Sequence, residues 1–110
     1  MKRILSLLAL SGIISAFLPV APAHAANGYL AGHITSVFVS SPGNMAFRVT
    51  LDQALPSSCT DGFAYTDTPN GNYQAYVSAL LVAYSTGKLV TLEFQVDGNG
   101  FCQITEFNVA

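Results

Sequence analysis

One helical pattern lies in a chain whose other segments favour β-strand, and this feature constrains the fold most. Apolar residues recur every three or four positions over residues 73–84, which predicts one helix with a continuous apolar stripe. Asn72 is a favoured residue to begin this helix, and Gly87 is the expected residue just past its end, followed by Lys88 at the negative end of the helix dipole. The members of the stripe are Tyr73, Tyr76, Val77, Leu80, Leu81 and Tyr84.

Three segments before the helix and two after it predict β-strands. Residues 28–40 are rich in β-forming residues and end at a turn over 41–44; residues 45–52 then alternate apolar and polar, so we predict a hairpin. Residues 63–66 predict a short third strand, before a loop over 67–72. After the helix, residues 89–96 resume the alternation, 97–100 form a tight turn and 101–109 form the last strand. The predicted core positions of two strands are Met45, Phe47, Val49 and Leu51, and Cys102, Ile104 and Phe107.

The first 25 residues have the pattern of a signal peptide. Lys2 and Arg3 precede an apolar run over residues 4–18, and Ala23-His24-Ala25 supplies a cleavage site of small residues, so we place the cut after Ala25. The alternative is a membrane anchor, but the run is shorter than the roughly 20 residues that span a bilayer. We therefore expect export to the periplasm or the medium, and a single mature domain over residues 26–110.

The mature part is small and acidic, which excludes several classes of partner. Its two basic side chains face six acidic ones, a net charge of −4, and such a chain is a poor partner for nucleic acid phosphates. It also holds no apolar stretch of membrane-spanning length. We expect a domain near the size at which a hydrophobic core alone is marginal.

Export gives the two cysteines a structural interpretation. Cys59 and Cys102 both lie in the mature part, and an even count in an oxidising compartment predicts one disulfide. Closing a loop of about 44 residues stabilises a fold by roughly 4 kcal/mol in the chain-entropy account. The alternatives are a redox pair and a metal site. A redox pair usually needs C-x-x-C spacing, and two thiols with the one histidine of the mature part are few ligands for a metal ion. We predict no metal and no cofactor.

The second face of the predicted helix is uncharged. It carries small residues, which allow close approach of another backbone, whereas exposed helix faces of small domains normally carry Lys and Glu. We predict that a homo-oligomer buries this face; the alternative is cover by the protein's own sheet and loops. The candidate interface residues are Ala75, Ala79, Val82, Ala83 and Thr86.

The order β-β-β-α-β-β is that of the OB-fold, a small Greek-key barrel with its helix between strands three and four. Residues 76–92 include Tyr84-Ser85-Thr86-Gly87 followed by an alternating strand, and this segment is similar to the helix and strand of AB5 toxin B subunits of the subtilase-cytotoxin and pertussis-like group. The resemblance covers about a third of the mature chain. It implies an exported OB-fold with a disulfide, a pentameric ring around its helices, binding of host glycans and an enzymatic A-type partner subunit.

The residues give little support for catalysis. His33 is the one histidine of the mature part, it lies in a predicted strand, and no G-x-S-x-G motif accompanies it. Asp61, Asp67 and Asp97 lie beside glycine, proline or asparagine, as turn residues do, and no phosphate-binding glycine loop is present in the sequence. We predict a binding protein and not an enzyme.

One loop region mixes aromatic and short polar side chains, a combination typical of sugar sites because a sugar ring packs on an aromatic face while its hydroxyls need polar partners. The alternative is that these residues only form turns and core edges. A monomeric periplasmic structural or stress protein, and a protease inhibitor that uses residues 53–72, are the competing functions. The candidate ligand-binding residues are Asp61, Tyr65, Asp67, Asn70, Asn72 and Tyr73.

Overall fold

Five strands and one α-helix follow one another in the predicted order in a computed structural model that describes residues 27–110. The signal peptide predicted over residues 1–25 lies outside the described residues. A short 3-10 turn, Thr60–Gly62, precedes the third strand. The elements are β1 (Asn27–Val39), β2 (Phe47–Leu51), β3 (Ala64–Thr66), α1 (Tyr73–Thr86), β4 (Leu89–Val96) and β5 (Cys102–Val109).

The strands form a closed barrel in the order β1-β2-β3-β5-β4, with β4 pairing back onto β1. The β1–β2 hairpin predicted from the turn at residues 41–44 is confirmed. Since β1 is 13 residues long, its first half pairs with β4 and its second half with β2. The β3–β5 pair is parallel, whereas the other four pairs are antiparallel. Closure leaves no free sheet edge along these pairs.

Two bulges change which residues face the barrel interior. In β1 the register shifts between Ile34 and Ser36, and in β5 Ile104 pairs with Phe94 while Glu106 pairs with Glu93, so Thr105 is the extra residue. The shift in β5 explains why Phe107 packs against the core although strict alternation from Ile104 points it outward.

The interior of the barrel is filled mainly by alternate residues of β2, β4 and β5. Phe47 and Val49 are buried as predicted, and Leu51 is partly buried against them. Met45 was expected among these inward residues, and this is wrong. Met45 precedes β2 in a left-handed turn (φ 49°), and Ala46 is buried in its place. The other strand residues at the centre are Val90, Leu92, Phe94, Cys102 and Ile104.

Helix α1 packs against β1 and β3 through one side. Leu80 and Ala83 are fully buried, and Tyr73, Tyr76 and Val77 are partly buried against the core. The predicted stripe was too wide, because Leu81 and Tyr84 are each 41% exposed. The buried sector is instead completed by Ala83, which the sequence had placed on the opposite face.

The ends of α1 are those expected. Gly87 adopts the left-handed conformation (φ 69°), and the backbone N–H groups of Gly87 and Lys88 both donate to the carbonyl of Ala83. Asn72 precedes the first helical residue but makes no side-chain cap. Instead, the side-chain oxygen of Asn70 accepts a hydrogen bond from the backbone N–H of Asn72 at 2.8 Å.

The predicted disulfide between Cys59 and Cys102 is present. It joins the loop before β3 to the first residue of β5, and both cysteines are buried. The bond therefore holds the short strand β3 next to its parallel neighbour β5. Within residues 27–110, no helix has the length and apolar character needed to cross a membrane.

Candidate functional site

Three loops border one cavity beside the short strand β3, and we name this cavity the inter-loop pocket. The β1–β2 turn lies beside the end of β3, because Phe47 pairs with Thr66. The β4–β5 turn lies beside the start of β3, because Ala64 pairs in parallel with Cys102. The three residues of β3 therefore separate the two turns. The pocket has a volume of about 410 Å³ and is open to solvent on one side. Tyr65 and Phe101 supply its aromatic lining, and its polar lining comes from Asn44, Asp67, Asn70, Asp97, Asn99 and Gln103.

Asp67 joins two of the three loops. One carboxylate oxygen accepts hydrogen bonds from the backbone N–H groups of Gly43 (3.0 Å) and Thr68 (2.7 Å), and the other accepts from Met45 (2.9 Å). Burial alone would raise the pKa of Asp67, but these donated hydrogen bonds outweigh it and lower that pKa. The same contacts hold Met45 in its left-handed conformation, so the β1–β2 loop is fixed against the β3–α1 loop.

Asp97 fixes the third loop in a similar way. One of its oxygens accepts from the backbone N–H groups of Asn99 (2.8 Å) and Phe101 (3.0 Å), and the other accepts from the Tyr65 hydroxyl at 2.6 Å. Burial opposes ionisation of Asp97, but the Tyr65 bond and the backbone donors lower its pKa overall. Burial and the contact with Asp97 raise the pKa of Tyr65. Tyr65 therefore stays a protonated donor beside an ionised Asp97.

Asp97 accepts three hydrogen bonds from the protein, and Asp67 accepts four, since the Thr68 hydroxyl also donates to it at 3.4 Å. In each carboxylate one oxygen accepts a single bond, which leaves about one acceptor position on that oxygen for a ligand. Two amide side chains are free to make new bonds as well. Among the described residues, the side-chain amides of Asn99 and Gln103 have no hydrogen-bond partner. The pocket thus offers a few polar contacts on a rigid frame, with the Phe101 ring beside them.

A row of stacked side chains lies beside the pocket on the same outer face of the sheet. The guanidinium of Arg48 lies 4.6 Å from the centre of the Phe38 ring and 5.0 Å from that of Phe63, and Phe63 stacks on Phe101 at 5.6 Å. Arg48 also donates hydrogen bonds to the carbonyl oxygens of Met45 and Asn44, each at 3.0 Å. The cation is therefore used to hold the β1–β2 loop in place.

The structure brings together half of the ligand-binding residues named from the sequence. Tyr65, Asp67 and Asn70 line the pocket. Asp61 does not, because it lies exposed in the 3-10 turn, and Asn72 and Tyr73 begin α1 outside the pocket. Five further residues that line the pocket were not predicted from the sequence: Asn44, Asp97, Asn99, Phe101 and Gln103. The 41–44 and 97–100 turns were recognised, but the pairing of β3 with β2 and with β5 is what brings both turns to the same short strand.

The candidate interface residues on α1 differ in their exposure. Ala75 and Thr86 are exposed and Ala79 is half-buried, while Val82 is 58% exposed. Ala83 is fully buried within the protomer, so its assignment to an exposed face is wrong. Leu81 and Tyr84 add apolar area to the exposed side of the helix. The α1 surface is thus uncharged and more apolar than expected.

Two further polar contacts were not anticipated. His33 Nδ1 lies 3.0 Å from a carboxylate oxygen of Asp52, whose other oxygen accepts the His33 backbone N–H at 2.8 Å. These contacts lower the pKa of Asp52. Glu93 and Glu106 face each other across β4 and β5, and sharing of a hydrogen bond with Glu106 raises the pKa of Glu93. In the described part of the chain, no three His, Cys, Asp or Glu residues are grouped to hold a metal ion.

Comparison with known proteins adds no assignment. No protein-family model matches the chain, and neither a curated protein nor a solved structure matches it significantly. The geometry of the pocket and of the helix surface is therefore what indicates a function.

Proposed function

We propose that the protein is an exported, non-catalytic OB-fold protein that binds glycans in the inter-loop pocket. The closed strand order, with the helix between β3 and β4, supports the OB-fold assignment. In OB-folds, the β1–β2 and β4–β5 loops carry the ligand, and oligosaccharides are among the ligands they bind. Both loops border the pocket of this protein.

The observation that carries the proposal is the mixture of groups in the pocket. Saccharides need apolar contact for the CH faces of their rings and hydrogen-bonding groups for their hydroxyls. Phe101 supplies an aromatic surface, Asn99 and Gln103 supply amides that can both donate and accept, and Asp67 and Asp97 supply acceptors. The disulfide supports export, since such bonds persist in oxidising compartments.

A homo-oligomer, arranged as a ring in the manner of the toxin B subunits, is the second part of the proposal. The uncharged α1 surface supports it, because Leu81, Val82 and Tyr84 leave apolar area exposed on a small domain. A ring would place several pockets on one assembly, and multivalent binding would compensate for the weak affinity of a shallow sugar site. An A-type partner subunit belongs to the same proposal and depends on the resemblance alone.

A glycan array tests the binding proposal. The protein is purified after export with its disulfide formed, labelled, and applied as wild type and as the variants Asn99→Ala and Gln103→Ala. We expect the wild type to bind a group of glycans on the array. Each variant should bind the same glycans about tenfold more weakly, which is the usual effect of one lost polar contact. Gln53→Ala is the matched control, because Gln53 is exposed outside the pocket. The proposal is refuted if the wild type binds no glycan on the array, or if the wild type and the two pocket variants bind equally well.

Light scattering after size exclusion tests the oligomer. We expect a mass of several protomers, and we expect Val82→Lys to yield a folded monomer because it places a charge on the α1 surface. A wild type that stays monomeric across the accessible concentrations refutes the ring and leaves the pocket as a monovalent site.

A further inference from the structure

We propose that the inter-loop pocket selects uncharged saccharides and disfavours those that carry a carboxylate or a sulfate. This inference depends on the proposed glycan function and specifies its ligand class. It follows from the charges that surround the pocket. Asp67 and Asp97 both line it, and within the described residues no Lys, Arg or His does so.

Both carboxylates are held in their ionised form by the fold. Asp67 accepts four hydrogen bonds and Asp97 accepts three; five of these seven come from backbone N–H groups, and the other two come from the hydroxyls of Thr68 and Tyr65. Protonation of Asp67 or Asp97 would convert an acceptor into a donor that faces other donors. The direction of both pKa values, below the ordinary range, agrees with this geometry. An anionic ligand therefore meets two carboxylates that stay ionised, and both of them repel it.

Among the described residues, Arg48 is held by other contacts and is not available as a counter-ion. Arg48 pairs with Tyr65 on the same face of the sheet but does not line the pocket, because its guanidinium is enclosed by the Phe38 and Phe63 rings and donates to two backbone carbonyls. Turning it toward a ligand would break both hydrogen bonds and both ring contacts. The remaining basic side chain of the mature part, Lys88, follows α1 at the other end of that helix from the β3–α1 loop. The net charge of −4 adds a long-range repulsion of anions.

The experiment compares pairs of glycans on one array that differ only by a terminal sialic acid or a sulfate. We expect the uncharged member to bind about tenfold more tightly at low ionic strength. This is the size of effect expected when the charges of Asp67 and Asp97 repel an anionic group bound in the same pocket and are partly screened by water. We expect the ratio to fall toward unity as salt is raised, because screening removes the repulsion. The salt series uses the wild type alone, so it does not depend on the folding of a variant.

Asp97→Asn removes one charge while it keeps an oxygen to accept the Asn99 and Phe101 N–H groups. We expect it to reduce the discrimination to about threefold, since one of two similar charges is lost. We expect no change for the control Asp61→Asn, which removes an exposed charge at a left-handed position that Asn tolerates. A purely structural role of Asp97 would weaken both members of a pair equally and leave their ratio unchanged.

The outcomes separate the two proposals. Tighter binding of the sialylated or sulfated member, with loss of binding in Asn99→Ala, overturns the selectivity while glycan binding stands; Arg48 would then have to turn into the pocket. A ratio that is independent of both salt and Asp97→Asn also overturns it. Retention of no glycan at all overturns the proposed function together with this inference.

Discussion

Replacing both cysteines with alanine, Cys59→Ala together with Cys102→Ala, is expected to remove a large part of the stability of this domain. The two residues are 43 positions apart, and a closed loop of that size lowers the entropy of the unfolded chain. At 25 °C this corresponds to about 4 kcal/mol in the chain-entropy account. A domain of this size has a total of roughly 4–13 kcal/mol at ordinary stability per residue. The loss therefore amounts to roughly a third or more of the total stability.

The structure indicates where the loss is felt first. The three residues of β3 are held between β2 and β5, and the disulfide anchors the segment just before them to the start of β5. Without the disulfide, the short β3–β5 pair must form without a covalent anchor. Two pocket residues depend on this pair, because Tyr65 lies in β3 and Asp67 directly follows it. We therefore expect the inter-loop pocket to lose order at lower denaturant concentrations than the β1–β4–β5 part of the barrel.

Urea denaturation of both proteins, followed by far-UV circular dichroism, measures the effect. We expect a lower free energy of unfolding in the variant and a steeper dependence on urea, because its unfolded chain is no longer compacted by a cross-link. Reductant should lower the midpoint of the wild type and leave that of the variant unchanged. A loss below about 1 kcal/mol, with an unchanged urea dependence, would refute the chain-entropy reasoning.

Three further predictions concern the helix and the outer face of the sheet. Leu80→Ala is expected to cost about 2–5 kcal/mol in urea denaturation, because Leu80 is fully buried. Gly87→Ala should cost about 1 kcal/mol at its left-handed position, whereas Gly98→Ala, at an open position without positive φ, should be nearly neutral in the same assay. Glu106→Gln should raise the thermal midpoint at pH 7 and lose this effect below pH 4. The raised pKa of Glu93 means that repulsion is absent while that carboxyl is protonated and grows as the pH rises through its pKa. An equal effect at both pH values would contradict this assignment.

Much of the fold follows from the period of the apolar residues. β4 shows why: Val90, Leu92 and Phe94 alternate with more exposed neighbours, and all three are buried. The alternation of β5 predicts Cys102 and Ile104 but not the inward position of Phe107, because the bulge at Thr105 depends on pairing with β4. The prediction that Met45 faces the core failed for a related reason. A residue that continues a strand pattern can still belong to a turn when a partner elsewhere, here Asp67, binds its backbone N–H.

The helix shows a different limit of sequence patterns. Tyr84 and Ala83 are neighbours, and hydrophobicity alone favours Tyr84 for the core. The structure buries Ala83 and leaves Tyr84 41% exposed, because a small side chain is what permits α1 to approach the barrel closely. The small residues on this face of α1 therefore predicted that another part of a protein packs closely against the helix. They did not distinguish the protein's own sheet from a second copy, and Ala83 is now assigned to the sheet.

The candidate site was only half predictable because its residues are joined by strand pairing rather than by sequence distance. Tyr65, Asp67 and Asn70 lie within six positions of one another and were found together. Asp97 is 32 positions from Tyr65, yet the two side chains share a hydrogen bond of 2.6 Å. The parallel register of β3 and β5 is what brings them together, and three residues of β3 are too short a pattern to predict it. The same carboxylates that looked like turn formers do form turns. They also line the pocket, and both properties arise from one geometry: backbone N–H groups bind part of each carboxylate, and the remaining acceptor position and the negative charge are left for a ligand.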